Sequence, residues 1–280
     1  MWKVTYPCCW TPCAATAVYL NNPPPIFPAQ VPVLTCSAGA GVRDRHVPRQ
    51  LSLQIKLNDD ATFENFLVPK GDSKHLLLTL LRDSWPHSEE PSVYLWGRQG
   101  SGVSHLLQAS CHQAAANGLP VQYLPLSELM TYPPQEVLAE LERLPLVAID
   151  DVQAIADRDD WQEALFNLYN RMRDAGSHLL MGGDVSPREL PLTLSDLTSR
   201  IGWGPVFQLE APNDVQREEI LKFRAGRRGM TMEDEVARYL VNRAARDLHG
   251  LMDCLDILEK TSLEAKRRLS IPFVKQVFGW

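Results

Sequence analysis

Gly97-Arg98-Gln99-Gly100-Ser101-Gly102-Val103-Ser104 carries the Walker A skeleton GxxxxG-x-[ST]. In such a loop the glycines let the backbone turn, so that its N–H groups and the N-terminus of the next helix face phosphate oxygens. Ser104 stands where a hydroxyl holds Mg²⁺, and Val103 stands where the motif has lysine. Without that cation the β- and γ-phosphates lose a counter-charge. Backbone amides along Gly97, Gly100, Gly102 and Val103 still suffice for binding; efficient hydrolysis is not expected. Leu146-Val147-Ala148-Ile149-Asp150-Asp151 is an apolar run ending in two carboxylates, the Walker B pattern. Asp150 is placed to support Mg²⁺, often through water, and Asp151 to polarise an attacking water. Read singly, each motif has a plainer explanation: a Gly-rich strand–helix turn for the first, a strand-end turn or helix cap for the second. Their succession in one chain favours nucleotide binding. Two arginines stand apart from these motifs. Arg200 precedes a Gly-Trp-Gly turn in Leu197-Thr198-Ser199-Arg200-Ile201-Gly202-Trp203-Gly204, and Arg246 opens Arg246-Asp247-Leu248-His249-Gly250. The bland fate of a lone arginine is a surface ion pair or a solvated position on a helix.

The elements that must hold these residues alternate between strand and helix from Leu57 onward. Val93–Trp96 is a short apolar run before the Gly-rich loop, and an amphipathic helix is expected from Ser104 to about Asn117. Val121–Leu124, Leu146–Ile149, His178–Met181 and Val206–Leu209 read as further strands. Val137–Arg143 reads as a helix, and Leu165, Leu168, Tyr169 and Met172 give Trp161–Ala175 helical spacing. Continuous apolar strands alternating with helices indicate a parallel sheet covered on both faces. After Pro212 no strand candidate remains, and residues 213–280 hold three or four amphipathic helices.

Composition bounds the function. The chain has 280 residues, 45% hydrophobic and 22% charged, with a net charge of −6, as for a globular protein with a real core. Lys3, Arg43 and Arg45 against Asp44 give residues 1–46 a balance of +2, which leaves −8 for residues 47–280. An acidic body argues against tight non-specific DNA binding, which needs clustered Lys and Arg. Four of six cysteines (Cys8, Cys9, Cys13, Cys36) lie in the first 46 residues, and Cys111 and Cys254 are isolated in apolar helical patterns. The set is neither a CxxC zinc arrangement nor a secreted disulfide framework. No apolar run of 18 residues is present to span a membrane, and Pro7 and Pro12 break the apolar region a signal peptide needs; a cytoplasmic protein is expected. Pro23-Pro24-Pro25, Pro28 and Pro32 keep helix and sheet from propagating in residues 1–46, which read as a disordered tail. A bolder reading is that this tail is not translated and that synthesis starts at Val42 or Val47.

Taken together, Thr62-Phe63-Glu64-Asn65-Phe66, the two phosphate motifs, Gly183-Asp184, the Arg200 segment and Arg246–Gly250 resemble the DnaA-type AAA+ family over residues from about 57 to 280. The resemblance implies an α/β fold: an AAA+ P-loop NTPase domain with a parallel sheet over residues 57–212, then a small all-α lid over residues 213–280. It implies a sensor 1 position at Gly183-Asp184, where Asp184 departs from the more usual polar residue and is also read as the cap of a turn. It also implies a sensor 2 role at the nucleotide for Arg246, and a trans role for Arg200 as an arginine finger beside a neighbour's γ-phosphate. No helix-turn-helix domain is expected after the lid and no helicase-recruiting domain before the core, so the chain resembles the Hda-type regulators of this family and not its initiators. Ile271-Pro272-Phe273-Val274-Lys275 is similar to those regulators too.

Gln50-Leu51-Ser52-Leu53, in a leader at residues 47–56, resembles the short peptide by which bacterial proteins bind the sliding clamp, the beta subunit of DNA polymerase III. The Gln amide of such a peptide takes a polar notch, and Leu51 and Leu53 an apolar pocket. The expected function is therefore regulatory. The protein, bound to ADP or another nucleoside di- or triphosphate, docks on clamp-loaded DNA and promotes ATP hydrolysis by DnaA, which prevents re-initiation of DNA replication. A homo-oligomer is compatible with this reading. A self-sufficient ATPase, such as a helicase or clamp loader, requires turnover that Val103 disfavours, and the acidic body disfavours a sequence-specific DNA binder.

Overall fold

Five apolar runs pair side by side, all parallel, in a computed structural model that describes residues 57–68, 74–84, 90–244 and 248–280. The strands are β1 (Ser92–Trp96), β2 (Val121–Pro125), β3 (Leu146–Asp150), β4 (His178–Gly183) and β5 (Val206–Gln208), in spatial order β2-β3-β4-β1-β5. Between and before them run α1 (Lys74–Thr79), α2 (Val103–Ala116), α3 (Leu126–Leu129), α4 (Pro134–Val137), α5 (Asp159–Ala175) and α6 (Ser195–Ile201). After the sheet come α7 (Asp214–Arg227), α8 (Asp234–Arg243), α9 (Leu248–Ala265) and α10 (Ile271–Phe278).

Side chains on β1 alternate between two cores, as the period of a strand requires. Val93 and Leu95 join Leu106, Leu107 and Cys111 of α2 on one face. Tyr94 joins Val147, Ile149, Trp161, Leu165 and Leu168 on the other, beneath α5. Burial of both faces explains why β1, β3 and β4 are continuous apolar runs. The last strand departs from that expectation. In β5, Val206 and Gln208 are exposed, because among the described residues the strand pairs with β1 alone.

The helix expected over Val137–Arg143 is not continuous. Helix α4 stops at Val137, Glu140 takes a left-handed φ of 58°, and a 3-10 turn follows at Leu141–Arg143. Leu138 and Leu141 are both buried across this break; the apolar spacing is real, but a bend serves it better than a helix. Helix α5 keeps its expected course, with Asp159 and Asp160 in its first turn and Gly176 closing it at φ 70°.

Four helices, α7–α10, enclose a third core around Leu221, Ala237, Leu240, Leu251, Leu255 and Phe273. Asn213 and Gln216 form a reciprocal capping box that starts α7. Among the described residues, no helix is long and apolar enough to cross a membrane.

Candidate functional site

The order of strands brings the two phosphate motifs together. Strand β4 lies between β1 and β3, so the loop after β1 and the carboxylates ending β3 meet across the C-terminal end of β4. Gly97 N donates to Gly183 O at 3.1 Å, which fixes the start of the loop on that end. The turn itself depends on Gly102, at φ 99°, where a Cβ would also strike Phe66 at 2.7 Å. Helix α2 begins at Val103 with, among the described residues, no side chain capping it, so the amides of its first turn are left for an acceptor. Gly100 lies beside the start of α9, near Leu248. A helix start approached past Gly100 and Gly102, which add no side chain, fits a phosphate group.

Asp150 is 3% exposed. Tyr123 donates to its Oδ2 at 2.8 Å, Asp151 N donates to its Oδ1 at 3.0 Å, and the Ser104 hydroxyl also bonds it. Burial is the largest influence on this carboxyl and raises its pKa above the usual range, against the pull of the Ser104 and Tyr123 hydrogen bonds. A serine hydroxyl beside one carboxylate is a donor set that suits Mg²⁺ shared with phosphate oxygens; Ser104 and Asp150 would hold it. Asp151 adopts φ 57° and accepts from Ser127 and, at 3.1 Å, from Gln153. Asp184 is exposed, and its N–H contacts Gln153 Oε1 at 3.3 Å.

A strap formed by residues 58–66 packs on the phosphate loop and the first turn of α2. Phe66 lies over Gly102 and next to the His105 ring, at 5.5 Å between centroids. His105 Nε2 donates to Thr62 O at 2.8 Å. The same strap reaches the C-terminal helices: Arg224 Nη2 contacts Asp60 Oδ2 at 3.0 Å, and its Nη1 donates to Asp60 O and Asn65 O at 3.1 and 3.3 Å. Arg228 joins Asp60 to Asp256 and Glu259.

Arg200 lies elsewhere. Gly204, four residues later, packs on Ser92 at the opposite end of β1 from the phosphate loop; a Cβ there would lie 2.1 Å from Ser92 O. A five-residue strand separates those two ends by about 13 Å. Helix α6, which carries Arg200, is aimed from its start by Gln162. This buried side chain accepts from Thr193 N at 2.9 Å and Leu194 N at 3.0 Å, and donates to Ile155 O and Ala156 O. Arg200 is half-buried, stacks on Trp203, and among the described residues pairs with no carboxylate, contrary to the surface ion pair that a lone arginine would suggest.

Gly97, Gly100, Gly102, Val103, Ser104, Asp150 and Asp151 are thus gathered, and Arg200 stands apart from them. Arg246, Gln50, Leu51 and Leu53 lie outside the described residues. Sequence reading missed Tyr123, Ser127, Gln153 and His105, which hold the acidic pair and the strap. A cleft of about 290 Å³ between α4 and α5, lined by Leu138, Glu140, Asp160 and Asn167, holds none of the expected site residues. Its Glu140 and Asp160 already pair with Arg143 and Arg158.

Comparison with known proteins fits this geometry. Residues 57–208 match the family model of the bacterial DnaA ATPase domain, and residues 214–278 match a model described as the Hda lid domain. A Haemophilus influenzae protein described only as uncharacterized is 42% identical over 232 residues, 82% of this chain and 99% of its own. Domain III of the Thermotoga maritima replication initiation protein DnaA superposes with a TM-score of 0.67 at 24% identity, covering 80% of this chain and 98% of that one. AMPPCP-bound DnaA from Aquifex aeolicus gives 0.61 at 21%, covering 74% and 68%. The Thermotoga maritima RuvB branch migration motor gives 0.58 at 18%, covering 78% and 71%. These superpositions show the fold, an AAA+ core with a helical lid. The chain belongs to the DnaA family of AAA+ proteins and is related to Hda through its lid.

Proposed function

We propose that this protein is a regulator of the DnaA initiator, stimulating ATP hydrolysis by ATP-bound DnaA through Arg200 in trans while bound to the DNA sliding clamp. The observation that carries the reading is the state of Arg200: a guanidinium without a carboxylate partner among the described residues, four residues before a glycine packed on the end of β1 away from the phosphate loop. A cation so placed serves a neighbour's transferring phosphoryl group, where it stabilises charge that develops in the transition state. The chain's own nucleotide, ADP in the reading proposed here, is a structural ligand held by the loop amides with Mg²⁺ at Ser104 and Asp150. Arg246 would complete that site from the lid, and Gln50, Leu51 and Leu53 would anchor the leader on the clamp.

A self-sufficient ATPase is the competing reading. Val103 supplies no charge to the phosphates, and both oxygens of Asp151 already accept a side-chain hydrogen bond. Both features favour the regulatory role.

The decisive assay follows ATP hydrolysis by DnaA on clamp-loaded DNA. The wild-type chain stimulates it, and Arg200→Ala lowers the stimulated rate on the order of 10³-fold, the scale of a trans arginine, with clamp binding intact. Gln50→Ala instead weakens clamp binding first. Full stimulation by Arg200→Ala, or rapid turnover by this protein alone, would overturn the reading.

A further inference from the structure

Cζ of Arg200 lies 3.9 Å from the centroid of the Trp203 ring, and Trp203 is 63% exposed. Nη1 of Arg200 is shielded from water and, among the described residues, has no hydrogen-bond partner, a condition that folded chains rarely tolerate. Arg217 also has a buried unpartnered nitrogen, yet its Nη1 sits 3.0 Å from Asp214. What holds Arg200 is the indole. An aromatic face attracts a guanidinium through its quadrupole but accepts nothing in the guanidinium plane. The stack therefore fixes the side chain without consuming any of its N–H groups; Nη1 is turned away from solvent, so an incoming anion would be met by the remaining edge of the guanidinium.

The backbone enforces the stack. Trp203 N donates to Arg200 O at 3.2 Å, folding the chain back at the end of α6. Gly204 then pins the turn against Ser92, where no larger residue fits. Gln162 secures the other end of the helix.

We propose that Trp203 is the positioning residue of Arg200, holding the guanidinium in the orientation in which it meets a partner's nucleoside triphosphate. The role rests on the trans function proposed above. Trp203 does not touch the reacting atoms. It spares Arg200 the loss of side-chain freedom that ordering at the moment of docking would cost.

The test is DnaA ATP hydrolysis on clamp-loaded DNA, titrated with the full chain carrying Trp203→Leu or Trp203→Phe. Leucine keeps apolar bulk and has no π face; phenylalanine keeps a face. Trp203 is largely exposed, so both variants are expected to fold, which thermal melting checks. Trp203→Leu should lower the maximal stimulated rate about 2- to 30-fold at an unchanged half-saturating concentration, and Trp203→Phe should restore most of it. An unchanged maximal rate with Trp203→Leu overturns the proposal. So does a rise in half-saturating concentration alone, which would make Trp203 a contact for the partner. Arg200→Ala in the same titration separates the two ideas. Its loss of stimulation beside an indifferent Trp203→Leu defeats the positioning role only, whereas its full activity defeats the trans reading as well.

Discussion

A Cβ added at Gly182 would lie 2.7 Å from Val103 Cγ1, 2.7 Å from Leu107 Cδ1 and 2.9 Å from Asp150 Oδ1. The side chain in place of the expected lysine, the helix behind it and the Asp150 carboxylate all converge on one bare backbone position. Gly182→Ala must push α2 or Asp150 aside, and overpacking of this kind costs about 1–3 kcal/mol. The expected outcome is a melting temperature lower by about 2–10 °C together with weaker binding of labelled ADP. A variant that melts and binds as wild type would mean that Val103 and Leu107 yield freely. The missing lysine was plain in the sequence, since a motif position is counted along the chain. The partners of Asp150 and Asp151 were not, because Tyr123 and Ser127 become neighbours only through the pairing of β2 with β3.

The strap over residues 58–66 makes its own prediction. Burial is the largest influence on His105 and lowers its pKa from 6.5 to about 4. The folded ring stays neutral and donates to Thr62 O, while the unfolded ring gains a proton below about 6.5. The unfolded chain binds more protons between those two values, so the contribution of His105 is complete above the upper one and is lost as pH falls toward the lower. Its size is on the order of 3 kcal/mol. Urea denaturation from pH 7 to pH 4 should show this decline, and His105→Gln, which retains a donor for Thr62, should flatten it; an identical slope would place the effect elsewhere. Elements of this kind were unevenly legible. Strands β1, β3 and β4 announced themselves as unbroken apolar runs because both their faces are covered. The stretch 137–143 misled, since Leu138 and Leu141 keep helical spacing across a bend at Glu140. Strand order left no mark on any local window.

Across the whole molecule, the lid is tied to the nucleotide-binding core through Asp60. Burial alone would raise the pKa of this carboxyl, but the hydrogen bond from Arg228 and the charges of Arg224 and Arg228 outweigh it, and the net shift is downward. Arg224 is only 7% exposed, whereas the Asp60 side chain is 43% exposed, so solvent screens the pair. Asp60→Asn should cost about 1 kcal/mol and speed amide exchange in α7; unaltered exchange there would show that apolar packing alone holds the lid. Strand β5, at the rim of the sheet beyond β1, bears on how such a molecule meets others. It contributes three paired residues, and edges so brief are one way natural sheets discourage recruitment of a foreign strand. A partner of the kind proposed would therefore meet side chains at the tip of α6 and the Gly-Trp-Gly corner in place of a strand edge. Contacts of that sort can form and dissolve with a partner's nucleotide state, as a continuous intermolecular sheet could not.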